Sequence, residues 1–339
     1  MLAAVLSPLF CLGLQPGFGA EPSCEEFRLD QPPHVMAGVV PKDQVDTSAC
    51  AAYATVEMLD AWYRTHGGPT GFSPIELDLR FRESARDFDA GTDPCTLLES
   101  EIREGGLCPM SELDHHPPDD LKRDFELLSR KAGRTTRKYA FSSIFISNPT
   151  RLHQRAVRLA GRLTDSSDFR SCPDTEESSR QNDELVARGI ETSLSAVSLL
   201  RWSLYPSCAE TGQRSFPPHM PRCHYLWKDP SGSLLTPKAF KAGLQTALRD
   251  QKQPIDVGFC ANLFTEPAFV GVDAGVVTSQ CKRHHAIAIG QRRNPKSGRC
   301  EILIQNSYGA NPQSADPGKD WVDAEALSRN TFVLEWLGR

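Results

Sequence analysis

The chain has 339 residues, and its 38 lysines and arginines against 43 aspartates and glutamates give a formal net charge of −5. Hydrophobic residues make up 39% and charged residues 24%, which is typical of an ordinary globular protein with one large or two modest domains. The mild negative charge excludes a general nucleic-acid binder, because phosphate contacts need a concentrated basic surface. Beyond residue 20, no stretch reaches the roughly 20 apolar residues that span a bilayer, so no membrane partner is expected.

The first twenty residues carry no charged side chain, and an apolar run from Leu2 to Leu14 precedes Pro16 and several small residues. This pattern indicates a secretory signal peptide at residues 1–20; the alternative is a short buried N-terminal helix. With the signal removed, we expect a secreted or periplasmic protein that begins near residue 21. An oxidising compartment favours disulfides among the eleven cysteines.

The first half of the chain predicts helices. From Ala49 to about His66, good helix formers carry an apolar stripe, and Gly67 follows as a stop signal. A polar stretch rich in Ser, Asp and Glu begins near residue 164, and we expect an insertion over about 164–225. Further helices are predicted at 73–84, 96–104, 119–132, 185–203 and 236–250.

The last third of the chain predicts strands instead. Short runs rich in β-branched residues indicate strands at 255–259, 285–290, 301–306 and 331–337. A helical first part and a strand-rich last part predict two lobes with a site between them.

Three segments carry residues suited to nucleophilic catalysis. Cys50 stands at the start of the first predicted helix, where unpaired N–H groups and the macrodipole are expected to lower the pKa of a thiol. The run RHHAIAIG places a histidine before an apolar strand, where it can take a thiol proton and later protonate a leaving amine. Asn306 ends a strand, and its amide oxygen can hold an imidazole in one tautomer. Each residue alone is more often structural, but the ordered set favours catalysis.

Together with Gln44, six residues before Cys50, these segments resemble the papain-like cysteine proteases. The strand that begins at His285 is similar to the family's His-Ala-Val strand, and NSYG from Asn306 is similar to its Asn-Ser-Trp-Gly. Weaker similarities lie in the runs SPIELD, EGGLC and QPIDVG. The resemblance covers roughly residues 40–140 and 236–337.

The resemblance implies an α+β papain-like fold with a helical N-terminal lobe, an antiparallel β-rich C-terminal lobe and the active site between them. Residues 21–339 would form one peptidase domain that acts on a protein or peptide substrate. Cys50 would be the nucleophile and His285 its acid/base, with Asn306 orienting the imidazole. The Gln44 side-chain amide and the Cys50 N–H would form the oxyanion hole.

His284 is the adjacent alternative to His285. We prefer His285 because Ala286, Ile287 and Ala288 follow it as in the family, while alternation along a strand sends His284 to the other face. A catalytically inactive papain-like module that binds a protein is the competing function, since the family's Trp after the nucleophile is absent. A peptidase of the bacteriocin-leader type also has Gln-x₅-Cys, but it would carry Asp where this chain has Asn306.

No metal or cofactor is expected. Cys223 and His224 lack a second pair of zinc ligands at the usual spacing, and HHPPDD reads as an extended loop. The cysteine count sets a limit on the number of disulfides. Without Cys11 and Cys50, nine of the eleven cysteines remain, so at most four disulfides can form and one thiol is left over.

Overall fold

The computed structural model describes a large part of the chain, and what the sequence predicts for the other residues stays a prediction. The signal peptide, Tyr308, Cys172 and nearly all of the predicted helix at 119–132 lie outside the described residues, as does most of the 164–225 insertion. The described residues are 24–44, 49–85, 91–110, 130, 134–135, 138, 148–164, 184, 186–188, 190–191, 196–205, 208, 219–227, 236–273, 276–307 and 318–338.

The helices fall mainly in the first part of the chain, as predicted. We number them α1 to α7 in chain order, and α3 combines three short helical segments while α6 continues into a wider π-helical turn. Their bounds are α1 Cys50–His66, α2 Pro74–Ala85, α3 Pro94–Thr96 with Leu97–Ile102 and Arg103–Gly105, α4 Pro149–Thr164, α5 Ala196–Leu204, α6 Pro237–Leu244 with Gln245–Asp250, and α7 Ala324–Asn330.

The strands form one large antiparallel sheet in the order β2-β9-β3-β6-β7-β8, with β1 also paired to β6. The strands β4 and β5 form a separate two-stranded ribbon. Their bounds are β1 Phe27–Arg28, β2 Arg222–Trp227, β3 Ile255–Cys260, β4 Val272–Asp273, β5 Val276–Val277, β6 Arg283–Arg293, β7 Cys300–Gln305, β8 Lys319–Asp323 and β9 Thr331–Gly338.

Helix α1 begins at Cys50 as the sequence predicts, and it ends before Gly67, whose φ of 76° suits glycine. Its apolar face is buried, and residues such as Val56 and Leu59 belong to the same core cluster as the inner residues of β3, β6 and β7. The α1 helix therefore packs directly on the sheet and fixes where Cys50 meets it.

The mixture of helices with an antiparallel sheet confirms the α+β class. All four strands predicted in the last third of the chain are present as β3, β6, β7 and β9. The division into two lobes stays a prediction, since the main hydrophobic cluster runs from α1 through the sheet.

Eight cysteines pair into four disulfides, which is the largest number that the sequence allowed. Cys50 is the cysteine without a disulfide among the described residues. Four disulfides fit an oxidising compartment. None of the described helices has the length and apolar character needed to cross a membrane. The pairs are Cys24–Cys300, Cys95–Cys223, Cys108–Cys208 and Cys260–Cys281.

Candidate active site

Cys50 is the first residue of α1, and its side chain is partly buried where the helix meets β6. Burial raises the pKa of the Cys50 thiol to about 11. The backbone N–H groups of His285 and Ala51 face the sulfur and offset part of that rise, whereas the Asp256 carboxylate adds to it. The expected lowering at a helix N-terminus is therefore outweighed by the loss of water around the sulfur.

His284 is the histidine that pairs with Asn306. Its Nε2 donates to Asn306 Oδ1 at 2.9 Å, and His284 is buried, with an exposed fraction of 2%. Burial lowers the pKa of His284 to about 4, although the bond to Asn306 works in the opposite direction. A neutral ring that carries its proton on Nε2 leaves Nδ1 as a proton acceptor.

His285 has a different partner. Its Nδ1 donates to Asp256 Oδ2 at 2.9 Å, and its ring lies over Gly258 of β3, where an added Cβ would come within 2.9 Å of Cε1. Burial by itself would lower the pKa of His285, but the Asp256 carboxylate outweighs this effect and raises it. The prediction that Asn306 orients His285 is therefore corrected, because Asn306 bonds to the neighbouring His284.

The direction of the β6 backbone shows along which edge of the strand the thiol lies. Next to the paired residues of β3 and β6, the Ala261 N–H donates to the Lys282 oxygen at 2.8 Å. Along an antiparallel ladder, residue pairs that exchange hydrogen bonds alternate with pairs that do not. Counted from Ala261 and Lys282, the pair that contains His285 exchanges none, so the His285 N–H points away from β3 and toward the β7 side. The sulfur of Cys50, which this N–H faces, lies on that same side.

Asn306 also lies on the β7 side of β6, since it directly follows β7. The Cys50 thiol and Asn306, which bonds the His284 ring, therefore both lie toward the β7 edge of β6. The His285 ring is turned the other way, across β3.

Gln44 is held beside the same edge by Ser307. The Gln44 N–H donates to the Ser307 oxygen at 2.6 Å, and the Ser307 hydroxyl donates to Gln44 Oε1. With Oε1 turned toward Ser307, the amide NH₂ of Gln44 is directed elsewhere, as an oxyanion donor requires. The sequence placed Ser307 only as part of NSYG and did not give it a role.

Two further residues near the site were missed at the sequence level. Asp256 and Glu335 are fully buried cross-strand partners on β3 and β9, and Asp256 is the residue that bonds His285. Burial, followed by the charges of Asp256 and Asp93, raises the pKa of Glu335 to about 10. An acidic residue inside an otherwise apolar strand, as in IDVGF and VLEWL, is the signal that was available for both.

Solved structures match this chain, whereas the comparisons with family models and curated sequences give no match. No family model matches the chain, and no curated protein matches it. One matching structure contains the cysteine protease and lectin-like domains of Cwp84, a surface layer associated protein of Clostridium difficile, at 10% identity and a TM-score of 0.41. The match covers 89% of this chain and 50% of the other, so this chain spans about half the length of that one.

Proposed function

We propose that this protein is a secreted cysteine-type peptidase in which Cys50 is the nucleophile and His284, in place of His285, is the acid/base. The observation that carries the proposal is the 2.9 Å hydrogen bond from His284 Nε2 to Asn306 Oδ1, on the edge of β6 that meets the Cys50 thiol. Nucleophile, base and orienting group are the three parts that acyl transfer through a thiol needs.

The pKa values of the pair indicate neutral groups at rest. With a pKa of about 11 for Cys50 and about 4 for His284, both the thiol and the imidazole are uncharged near pH 7. The Nε2 proton of His284 is committed to Asn306, so Nδ1 receives the thiol proton as the sulfur attacks the peptide carbonyl. The resulting imidazolium is stabilised by Asn306.

The proton taken from the thiol is then given to the leaving group. His284 passes it from Nδ1 to the departing amine, the C–N bond breaks, and the acyl group stays on Cys50 as a thioester. A water molecule next gives a proton to Nδ1 and attacks the thioester, and the thiol recovers that proton as the acid product leaves.

Gln44 would stabilise the negative charge that develops on the carbonyl oxygen. Its NH₂ group and the Cys50 N–H at the start of α1 would donate to the oxyanion that forms in each tetrahedral intermediate. The bond from the Ser307 hydroxyl to Gln44 Oε1 supports this role, because it orients the Gln44 side-chain amide before substrate arrives. The four disulfides support action in an oxidising, extracellular setting.

The test is peptidase activity of the full chain on a peptide library, together with labelling by an epoxide that alkylates activated thiols. We expect Cys50→Ala to abolish both readouts, and His284→Ala to lower kcat/KM by about 10³-fold or more. His285→Gln is the matched control and should lose far less, since Gln can still bond Asp256.

Full peptidase activity in Cys50→Ala would disprove the proposal. A larger loss in His285→Gln than in His284→Ala would restore His285 as the acid/base. A wild-type protein that neither cleaves peptides nor takes up the epoxide at Cys50 would favour the inactive binding module.

A further inference from the structure

Three strands bring Asp256, Glu335 and His285 together on the face of the sheet that His284 does not use. Asp256 on β3 lies directly opposite Glu335 on β9, so their side chains share a face and their Cβ atoms are about 5 Å apart. His285 reaches the same place from β6 and bonds Asp256. The exposed fractions of Asp256, Glu335 and His285 are 0%, 0% and 7%.

The hydrogen bonding of this cluster is incomplete. Asp256 Oδ1 and Glu335 Oε1 are buried and accept no hydrogen bond from the described residues. Such orphaned carboxylate oxygens are costly in a dry interior, where a buried polar group normally has a partner. They point to a ligand that accepts the lone pairs of both carboxylates.

The charge of the cluster is balanced only by protons. Within the described part of the chain, Asp256 has its ion pair with His285, and Glu335 has no ion pair with a lysine or arginine. Asp93 lies beside Glu335, shares a hydrogen bond with it and adds a third acid. A single ion of charge +2 would replace the protons on His285 and Glu335 and balance both carboxylates.

The donor set matches a divalent transition metal. One ligand atom from each of the three side chains lies within 4.8 Å of the other two. Zinc takes His nitrogen and carboxylate oxygen at about 2.0–2.2 Å, so small side-chain rotations would close the set around one ion. The imidazole favours such a metal over Mg²⁺ or Ca²⁺, which prefer oxygen ligands alone.

We propose that Asp256, His285 and Glu335 form a buried structural site for a divalent transition-metal ion, with Zn²⁺ as the ion to test. On binding, the ion would displace the proton that His285 Nδ1 shares with Asp256. The site uses His285 and not the His284–Asn306 pair of the proposed peptidase chemistry, although the Asp256 charge reaches the Cys50 thiol. Because the cluster is buried, the ion would enter as the chain folds.

The experiment measures zinc per chain by elemental analysis after refolding with Zn²⁺ and dialysis against metal-free buffer. All proteins carry Cys50→Ala, so that the catalytic thiol cannot hold the metal. We expect about one zinc per chain in Cys50→Ala, with apparent affinity lowered at least about ten-fold by adding Glu335→Gln or Asp256→Asn. The matched control adds His284→Ala and should keep its zinc.

Co²⁺ gives a readout that does not depend on stability. Bound at a nitrogen and oxygen site, it shows d–d bands without sulfur-to-metal charge transfer, and these should vanish with Glu335→Gln. Cys50→Ala protein that refolds but retains no zinc, or zinc that survives Glu335→Gln and Asp256→Asn, would overturn the proposal. Loss of zinc with His284→Ala would do the same, since it would put the ion at the catalytic pair.

Discussion

Asn306 hydrogen-bonds His284, and not the adjacent His285, through Oδ1 and Nε2 at 2.9 Å. The cause is the register of β6 and β7. Ile287 of β6 pairs with Gln305 of β7, so the next residue, Asn306, lies opposite Ala286. Ala286 and His284 are two residues apart on β6 and therefore point to the same face of the sheet. His285 lies on the other face and bonds Asp256.

We expect Asn306→Ala to lower kcat/KM by roughly 10- to 100-fold, because the His284 ring loses the acceptor that fixes its tautomer and angle. KM should change little, since Asn306 does not bind substrate in this mechanism. Steady-state kinetics on a peptide substrate measure both effects. An unchanged kcat/KM in a variant with wild-type thermal stability would remove Asn306 from the mechanism.

Gln44→Ala should cost about 10²- to 10³-fold in kcat, the usual effect of removing one oxyanion-hole donor. Ser307→Ala should cost less, because Gln44 keeps its NH₂ group and loses only the hydroxyl that orients Oε1. If Ser307 acts through Gln44, the double variant should be no slower than Gln44→Ala. Additive losses would show instead that Ser307 acts independently.

Alkylation of Cys50 by iodoacetamide should rise about ten-fold for each pH unit between pH 7 and 10, since the thiolate fraction grows in that proportion below a pKa of about 11. Only Cys50 among the described cysteines lacks a disulfide, so mass spectrometry of the modified peptide reports on it alone. A rate that is flat from pH 5 to pH 8 would contradict the prediction and indicate a thiolate–imidazolium pair at rest.

The side chain of Asp30 is predicted to stabilise the fold in a pH-dependent way. Burial alone would raise its pKa, but hydrogen bonds and charges from Arg28 and Lys319 lower it from 3.8 to about 2. A lowered pKa means that the unfolded chain binds a proton more readily, so the stabilisation is present above pH 3.8 and is lost as pH falls toward 2.

Asp30→Asn should therefore lower the free energy of unfolding by about 2 kcal/mol near neutral pH and by much less near pH 2. Urea unfolding at several pH values measures the difference. Asp250→Asn, at an exposed position, is the matched control and should have no comparable effect. A difference that does not shrink with acid would mean that the Asp30 contacts do not act through its charge.

Much of the fold was predictable from local patterns. The helix from Cys50 and the strands around His285 and Asn306 follow from apolar periodicity, glycine stops and β-branched runs. The strands β2 and β8 were missed, because their sequences RCHYLW and KDWVD lack a β-branched run. They are strands because they pair with β9 and β7, which no local pattern records.

The sequence by itself determined to within one residue where α1 begins and β7 ends, how many disulfides could form, and that two adjacent histidines lead one strand. Alternation also required those histidines to lie on opposite faces. Which of them meets Asn306 was decided only by the tertiary structure. Between Ala288 and Gly290 the β6–β7 register shifts by one residue, and without that shift Asn306 would lie opposite Ile287, on the face of His285. A register shift of one residue moves each side chain of a strand to the opposite face of the sheet. Such a shift depends on pairing between segments that are distant in the sequence, so no local pattern predicts it.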